Sequence, residues 1–239
     1  MGIDVHALDF LMRMRPYIKG KLLQLGRQGV HCMEPMGNAA LTESIFRRYD
    51  NSTPIYPMLK VGHAEQLFEF LGATEVESMD ISAYEACTIV HDLNNPVPEY
   101  LHNDFDTIVD GGTIEHIFDV KTMFDNIKKM LKVGGSFISI TTANNFVNHG
   151  FYQFSPELFF TVFSEEAGYE IISVELMDIN DKVVSNKISN HSGTRTPIRP
   201  HSLDEVYIMT AAVKRREVDI RHNLQQSDYL RMWGGNYDH

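Results

Sequence analysis

The stretch "FDTIVDGGTIEHIFDVKTMFDNIKKMLKVGGSFISIT", residues 105–141, constrains the fold of this chain more than any other part of it. It sets out a strand from Phe105 to Val109 that runs into Asp-Gly-Gly, a helix from about Val120 to Leu131, and a second strand, "SFISIT", directly after Gly134-Gly135. Within the helix, Val120, Met123, Phe124, Ile127 and Leu131 fall at i, i+3, i+4, i+7 and i+11, which makes one core-facing stripe. A strand, helix and strand in this order is the repeating unit of an α/β fold with a mostly parallel sheet.

The rest of the chain alternates in the same way. An opening helix is expected over His6 to Ile18, then a strand at "KLLQLG", Lys21 to Gly26. Two helical patterns follow: "LTESIFRRYD", with Thr42 as its N-cap, and "GHAEQLFEFLG", with Gly72 as its stop. Further strands are expected near "TEVESMDIS" and within "CTIVHDL". After the central unit come a helix from Pro156 to Ala167, another strand, and a last strand in "DEVYIMTAAVK". The loop from about Asn180 to Ser202 is longer than a simple connection needs and reads as mobile or as a lid. One domain is expected, with an N-terminal helix over 1–20, an insertion over 28–62 and a C-terminal tail over 215–239. The tail carries Trp233 and Tyr237 and is expected to dock on its own domain or on a second copy, which allows a homodimer, with a lid over the pocket as the alternative.

Composition excludes several functions. The formal charge of −11 and a pI near 5.4 argue against a nucleic-acid or anionic membrane surface, both of which need a basic footprint. The one basic run, "KRRE" at Lys214 to Glu217, reads as a solvated strand end. No apolar run approaches the roughly 18 residues of a membrane span, and the first residues lack a basic-then-apolar order, so a cytoplasmic location is expected. Cys32 and Cys87 are far apart and read as reduced packing residues. The 11 histidines show no His-x-x-His, His-Glu-x-x-His or carboxylate–histidine grouping, so no metal is expected. No serine sits in a Gly-x-Ser-x-Gly elbow.

In an open parallel sheet, ligands bind beyond the carboxyl ends of the strands. The residues expected there are Gly26 and Arg27, Asp80, Asp92, Asp110-Gly111-Gly112, and Asn144-Asn145. Three carboxylates beside a glycine turn suit a ligand with ribose hydroxyls, an exocyclic amine and a positive charge, and would repel a phosphate.

The central stretch resembles the segment between the fourth and fifth strands of class I S-adenosylmethionine (SAM) dependent methyltransferases, with Leu131-Lys132-Val133-Gly134-Gly135 where that family usually has Leu-Lys-Pro-Gly-Gly. The downstream "HGFYQFSPELF" resembles a subgroup of small-molecule methyltransferase-like proteins, in which that loop lies beside the substrate pocket. The resemblance implies a Rossmann-like fold with a seven-stranded, mostly parallel sheet, helices on both faces and an insertion after the first strand. It implies SAM as cofactor: Gly26, with Arg27 beside it, on the methionine side, Asp80 on the ribose, Asp92 and Leu93 around the adenine, and Asp110, Gly111 and Gly112 beneath the sulfonium. The sequence departs from that family in its first loop, where "LGRQG" stands for Gly-x-Gly-x-Gly, and Asp80 lies 54 residues after Gly26 instead of about 20. The insertion therefore reads as a cap over the site or a dimer surface.

Catalysis of methyl transfer needs an aligned nucleophile and, where it carries one, removal of its proton. His116, His149 and Tyr152 are the candidates for the catalytic role, and Asn145 and Gln153 for orienting a substrate. Glu115 either binds a cationic amine or caps the following helix. The expected activity is methylation of a small-molecule acceptor, of secondary or sugar metabolism. Two alternatives stand beside it: intramolecular cyclisation of SAM with release of methylthioadenosine, as in azetidine-2-carboxylate formation, and a methyltransferase-like binding protein without catalysis.

Overall fold

The computed structural model describes residues 2–33, 37–55, 59, 62–179, 185–189, 204–218 and 224–232. Its strands are β1 (Gly20–Leu25), β2 (Gly29–Val30), β3 (Gly62–His63), β4 (Ala73–Asp80), β5 (Ile89–Val90), β6 (Phe105–Asp110), β7 (Leu131–Asn144), β8 (Tyr169–Asp178), β9 (Ser185–Lys187) and β10 (Val206–Lys214). Its α-helices are α1 (Val5–Met14), α2 (Ala39–Tyr49), α3 (Glu65–Leu71), α4 (Val120–Met130), α5 (Pro156–Val162) and α6 (Ser227–Met232).

One sheet has the order β5-β4-β1-β6-β7-β10-β8-β9. Strands β5, β4, β1, β6 and β7 pair in parallel, β10 runs antiparallel between β7 and β8, and β9 runs antiparallel to β8. The expected seven strands are the first seven in this order. The eighth, β9, comes from within the stretch read as a long loop. The rest of that loop, 180–184 and 190–202, lies outside the described residues, as do Trp233 and Tyr237.

Alternation along the strands builds a core on each face. Leu22, Val109, Ile138 and Met209 pack with Phe10 of α1, Phe46 of α2 and Phe68 of α3. Their neighbours Leu23, Ile108, Phe137 and Ile208 pack on the other face with Phe124 and Ile127 of α4 and Phe159 of α5. Phe163, just past α5, stacks on Phe137 at a centroid distance of 5.0 Å and meets Tyr169 edge-on at 5.1 Å. All five stripe residues of the central helix join this second core, Val120 at its margin.

Several element ends differ from the sequence expectation, each for a local reason. Helix α1 stops at Met14 because Pro16 takes the chain into a single 3-10 turn, Arg15–Tyr17. Helix α2 begins at Ala39, capped by Asn38, whose side chain accepts the Leu41 N–H at 3.0 Å. Thr42 is therefore inside the helix, and its hydroxyl donates to the Cys32 carbonyl at 2.7 Å. Gly72 does end α3, at φ +131°. Helix α4 ends one residue early because Leu131 already opens β7, which runs through Gly134-Gly135 to Asn144. Helix α5 ends at Val162, short of Ala167, and "CTIVHDL" yields only the two-residue β5. Lys214 is no solvated edge: it is buried, donates to the carbonyls of Lys128 and Leu131 at 2.7 and 2.8 Å, and pairs with Glu217.

The insertion leaves and rejoins the chain at one place. Its two ends, β2 and β3, pair with each other, Gly29 opposite His63 and Val30 opposite Gly62, and Val30 also bridges Ile3. Between them α2, Ile55 and Leu59 join the core under α1. Among the described residues, no helix is long and apolar enough to cross a membrane.

Candidate functional site

The strand order reverses between β1 and β6, the place where an open parallel sheet leaves a crevice. A cavity of about 600 Å³ opens there, at the carboxyl ends of β1, β4, β5 and β6. Of the residues expected at these ends, Gly26, Arg27, Asp80, Asp92, Leu93 and Gly112 line it. Asp110 and Gly111 do not, and lie buried behind Gly112.

The first turn is glycine-rich in space, though not in sequence. Gly26 sits at φ +68°, and a Cβ there would lie 2.6 Å from Thr113 Oγ1. Thr113 Oγ1 donates to the Leu25 carbonyl at 2.7 Å, tying the ends of β1 and β6 together. The Gln28 amide Nε2 donates to the same carbonyl and to Thr113 Oγ1, while its Oε1 is buried without a hydrogen-bond partner. Gln28, one of the residues by which "LGRQG" departs from Gly-x-Gly-x-Gly, is part of the turn. The insertion then interrupts the turn, which resumes at Gly62-His63, also in the cavity wall. Counted from Gly62, Asp80 comes 18 residues later, close to the usual spacing to a ribose partner.

Arg27 is engaged on one side by Glu65, Nε to Oε1 at 2.8 Å, and on the other by the Glu85 carbonyl at 2.8 Å. Its charge is thus paired, and the wall keeps an acidic balance through Asp80, Glu85 and Asp92. Asp80 is half-buried, and its carboxylate receives a long bond, 3.4 Å, from the Ser82 N–H, leaving capacity for further donors. Asp92 instead closes its own turn, accepting from the Asn94 N–H at 2.9 Å and the Asn94 and Asn95 amides at 2.8 and 3.1 Å; these bonds hold its pKa below the ordinary range. That turn is fixed by a residue the sequence did not flag. Asn126 of α4, fully buried, accepts from the Val97 N–H at 2.9 Å and donates to the carbonyls of Leu93 and Asn95 at 3.2 and 2.8 Å.

Asp110 is register partner to Ser139 on β7, and receives its hydroxyl at 2.7 Å together with the N–H groups of Thr113 and Ile114 at 2.8 and 3.2 Å. It shapes the turn under the cavity and touches nothing inside it. Burial raises its pKa from 3.8 to about 6, against the pull of those bonds. The folded protein therefore holds this proton more tightly than an unfolded chain does, so the stability it contributes is full below about pH 4 and is lost as pH rises through about 6. Asp110→Asn keeps an acceptor for the two N–H groups, and Ser139 can turn to accept. Thermal and denaturant unfolding are expected to show the advantage of the natural chain over this variant shrinking by about 2 kcal/mol between pH 4 and 7.

Past Gly112 the chain makes a 3-10 turn, Ile114–His116. Glu115 within it is fully buried; Thr141 Oγ1 donates to its Oε2 at 2.8 Å, and its Oε1 has no hydrogen-bond partner. Burial, and then the neighbouring Asp110, raise its pKa to about 7. His116 lines the cavity, and desolvation against the wall, followed by His149, holds its pKa below the ordinary imidazole range. The loop after β7 brings His149 to this point: its Nε2 lies 3.8 Å from Glu115 Oε1, and its ring meets that of His116 at 5.0 Å. Glu115, His116 and His149 thus gather, each with one donor atom within 4.8 Å of the others. Residues 34 positions apart make a carboxylate–histidine grouping that linear spacing does not show.

The other expected residues serve the loop itself. Tyr152 hydroxyl donates to the Phe118 carbonyl at 2.8 Å, Asn145 donates to the Asp204 carbonyl at 2.6 Å, and Gln153 accepts the Phe146 N–H at 3.0 Å. These side chains hold the loop and are not brought into the cavity wall.

No family model matches the chain, and no curated protein matches it. Solved structures do. A Listeria monocytogenes protein assigned as a SAM-dependent methyltransferase superposes with a TM-score of 0.51 at 12% identity, covering 88% of this chain and 97% of its own. A Mesorhizobium loti SAM-dependent methyltransferase gives 0.47 at 14% identity over 87% and 97% of the two chains. A Burkholderia thailandensis 1,6-didemethyltoxoflavin N1-methyltransferase, solved with 1,6-didemethyltoxoflavin and S-adenosylhomocysteine, gives 0.45 at 10% identity over 89% and 79%. With its sheet order, its switch-point cavity and the Listeria likeness together, the chain has the Rossmann-like fold of the SAM-dependent methyltransferases.

Proposed function

We propose that this chain is a SAM-dependent methyltransferase acting on a small-molecule acceptor. The observation that carries this reading is the cavity at the switch point of a methyltransferase fold, with Gly26 and Gly112 at positive φ and the half-buried Asp80 in one wall. The residues fit the cofactor. The two glycines let the turns of the wall fold tightly at positive φ, Asp80 accepts from the ribose hydroxyls, and Leu93 and Ile81 supply apolar surface for the adenine. The buried Gln28 Oε1, still lacking a donor, lies in the same turn. Because Arg27 is paired, the described residues of the wall offer no open lysine or arginine for a phosphate, and its carboxylates favour a positively charged ligand.

Bound there, SAM supplies an electrophilic methyl group, and the chain's own task is positioning. His116 stands in the wall as a neutral imidazole able to take the acceptor's proton, with His149 behind it. Beside them, the exposed rings of Phe118 and Phe151 meet edge-on at 5.5 Å, a surface for an acceptor with an apolar or ring-shaped body. The acidic net charge fits a small acceptor better than a nucleic acid. Mass spectrometry of the protein incubated with SAM, alone and with ring-containing hydroxyl and amine acceptors, tests the reading. S-adenosylhomocysteine is expected only when an acceptor is present. Methylthioadenosine released from SAM alone would replace methyl transfer by intramolecular cyclisation.

A further inference from the structure

Glu115, His116 and His149 present the features of an ion site. Two of the three donor atoms facing one another, Glu115 Oε1 and His149 Nε2, are buried without a hydrogen-bond partner and lie 3.8 Å apart. That separation is too long for a hydrogen bond between them. A buried carboxylate oxygen left without any donor is costly, and such atoms call for an explanation. A shared cation supplies one: donor atoms around a tetrahedral ion with bonds of about 2.1 Å sit about 3.4 Å apart, a small side-chain rotation from the separation here.

The backbone is built to hold this juxtaposition. The Glu115 carbonyl accepts the N–H groups of Phe151 at 2.7 Å and Tyr152 at 3.2 Å, which fastens the loop carrying His149 onto the turn carrying Glu115. Between them, Gly150 sits at φ +70°, where a Cβ would lie 2.8 Å from that same carbonyl oxygen, so only glycine allows the approach. His149 is therefore delivered to Glu115 by fixed main-chain bonds. His116 adds the third donor from the cavity side.

We propose that Glu115, His116 and His149 bind one divalent transition-metal ion, with its open coordination positions toward the cavity. Two imidazoles and one carboxylate suit ions such as Zn²⁺, Co²⁺ or Fe²⁺ better than Mg²⁺ or Ca²⁺, which prefer oxygen alone. The site holds whether or not the cavity takes SAM. Its consequence for chemistry does rest on the proposed function: with an ion bound, both imidazoles would be ligands in place of His116 as the base, and an acceptor oxygen on the ion, its pKa lowered, would give its proton to solvent water in the open cavity.

The test uses full-length protein stripped of metal by dialysis against a chelator, titrated with Co²⁺ by visible absorption and with Zn²⁺ by calorimetry. One equivalent is expected to bind saturably. His149→Gln, at a side chain about one-third exposed, and His116→Gln are each expected to weaken it about 100-fold or more while leaving metal-free thermal unfolding unchanged. Absence of saturable binding, several weak equivalents, or affinity in both variants equal to that of the natural chain would overturn the site. S-adenosylhomocysteine titrated into the same samples separates the two readings: lost metal binding with intact nucleoside binding sinks the ion site alone, and the reverse sinks the cofactor assignment alone.

Discussion

Asp80→Ala is expected to weaken binding of SAM and of S-adenosylhomocysteine about 100-fold and to leave the fold intact. Asp80 ends β4 at the cavity, half-buried, with one long bond from the Ser82 N–H as its local engagement. A carboxylate in that position contributes about 1.5 kcal/mol per hydrogen bond to a ligand hydroxyl, the low end for a charged acceptor on a partly exposed site, and two ribose hydroxyls bring the total to about 3 kcal/mol. The variant loses little in the unliganded state, so its unfolding midpoint should stay within the small range of a surface substitution. Calorimetric titration read beside thermal unfolding checks both halves. Affinity retained in Asp80→Ala would remove Asp80 from the ribose and with it the proposed orientation of the cofactor.

Asn126→Leu is expected to do something different: lower stability by about 3 kcal/mol and weaken the same ligands along with it. Leucine fills a similar volume but strands the Val97 N–H and the Leu93 carbonyl, which end on the Asn126 amide, and leaves the Asn95 carbonyl with only the His91 ring, 3.1 Å away. Leaving a buried main-chain group without a partner costs about 1–3 kcal/mol, reduced where the turn can open to water. The turn that opens is the one placing Asp92 and Leu93 in the cavity wall. Denaturant unfolding should therefore show the loss directly, and titration of S-adenosylhomocysteine should show a parallel fall. A variant as stable as the natural chain would mean that the turn does not depend on α4.

The contrast between these two residues shows what could be read before the fold was known. Asp80 was legible because a strand pattern ending in an acidic residue needs no tertiary information. Asn126 was not, because it lies within an amphipathic helix and its three partners belong to a loop about 30 positions earlier. The same limit split the glycine turn. Gly26 and Gly62 are joined through a ribbon two residues long on each side, too short to leave a periodic signal, so a count from Gly26 alone misplaced the spacing to Asp80. Alternation in "FDTIVD" marked the strand, but not that the Asp110 carboxylate would turn to Ser139 on the next strand instead of into the cavity. His149 and Glu115 met through main-chain bonds in an irregular loop, where side-chain identity carries little information about which backbone groups will pair. By contrast, the central strand–helix–strand unit, with its stripe from Val120 to Leu131, was readable almost whole, because each part of it buries a face set by its own local period.

The pH behaviour adds an independent view of the site. Asp110 and Glu115 both have raised pKa values because both are buried at the base of the turn. Burial therefore favours the neutral forms of both groups, and a cationic centre bound in front of them would draw them toward their charged forms.

The central claim is that the switch-point cavity binds SAM, and isothermal titration of the purified full-length chain with SAM and with S-adenosylhomocysteine tests it most directly. The account predicts saturable binding of each ligand at one equivalent per chain, weakened about 100-fold in Asp80→Ala. No heat of binding from either ligand, confirmed by an unchanged thermal unfolding midpoint at saturating concentrations, would contradict it.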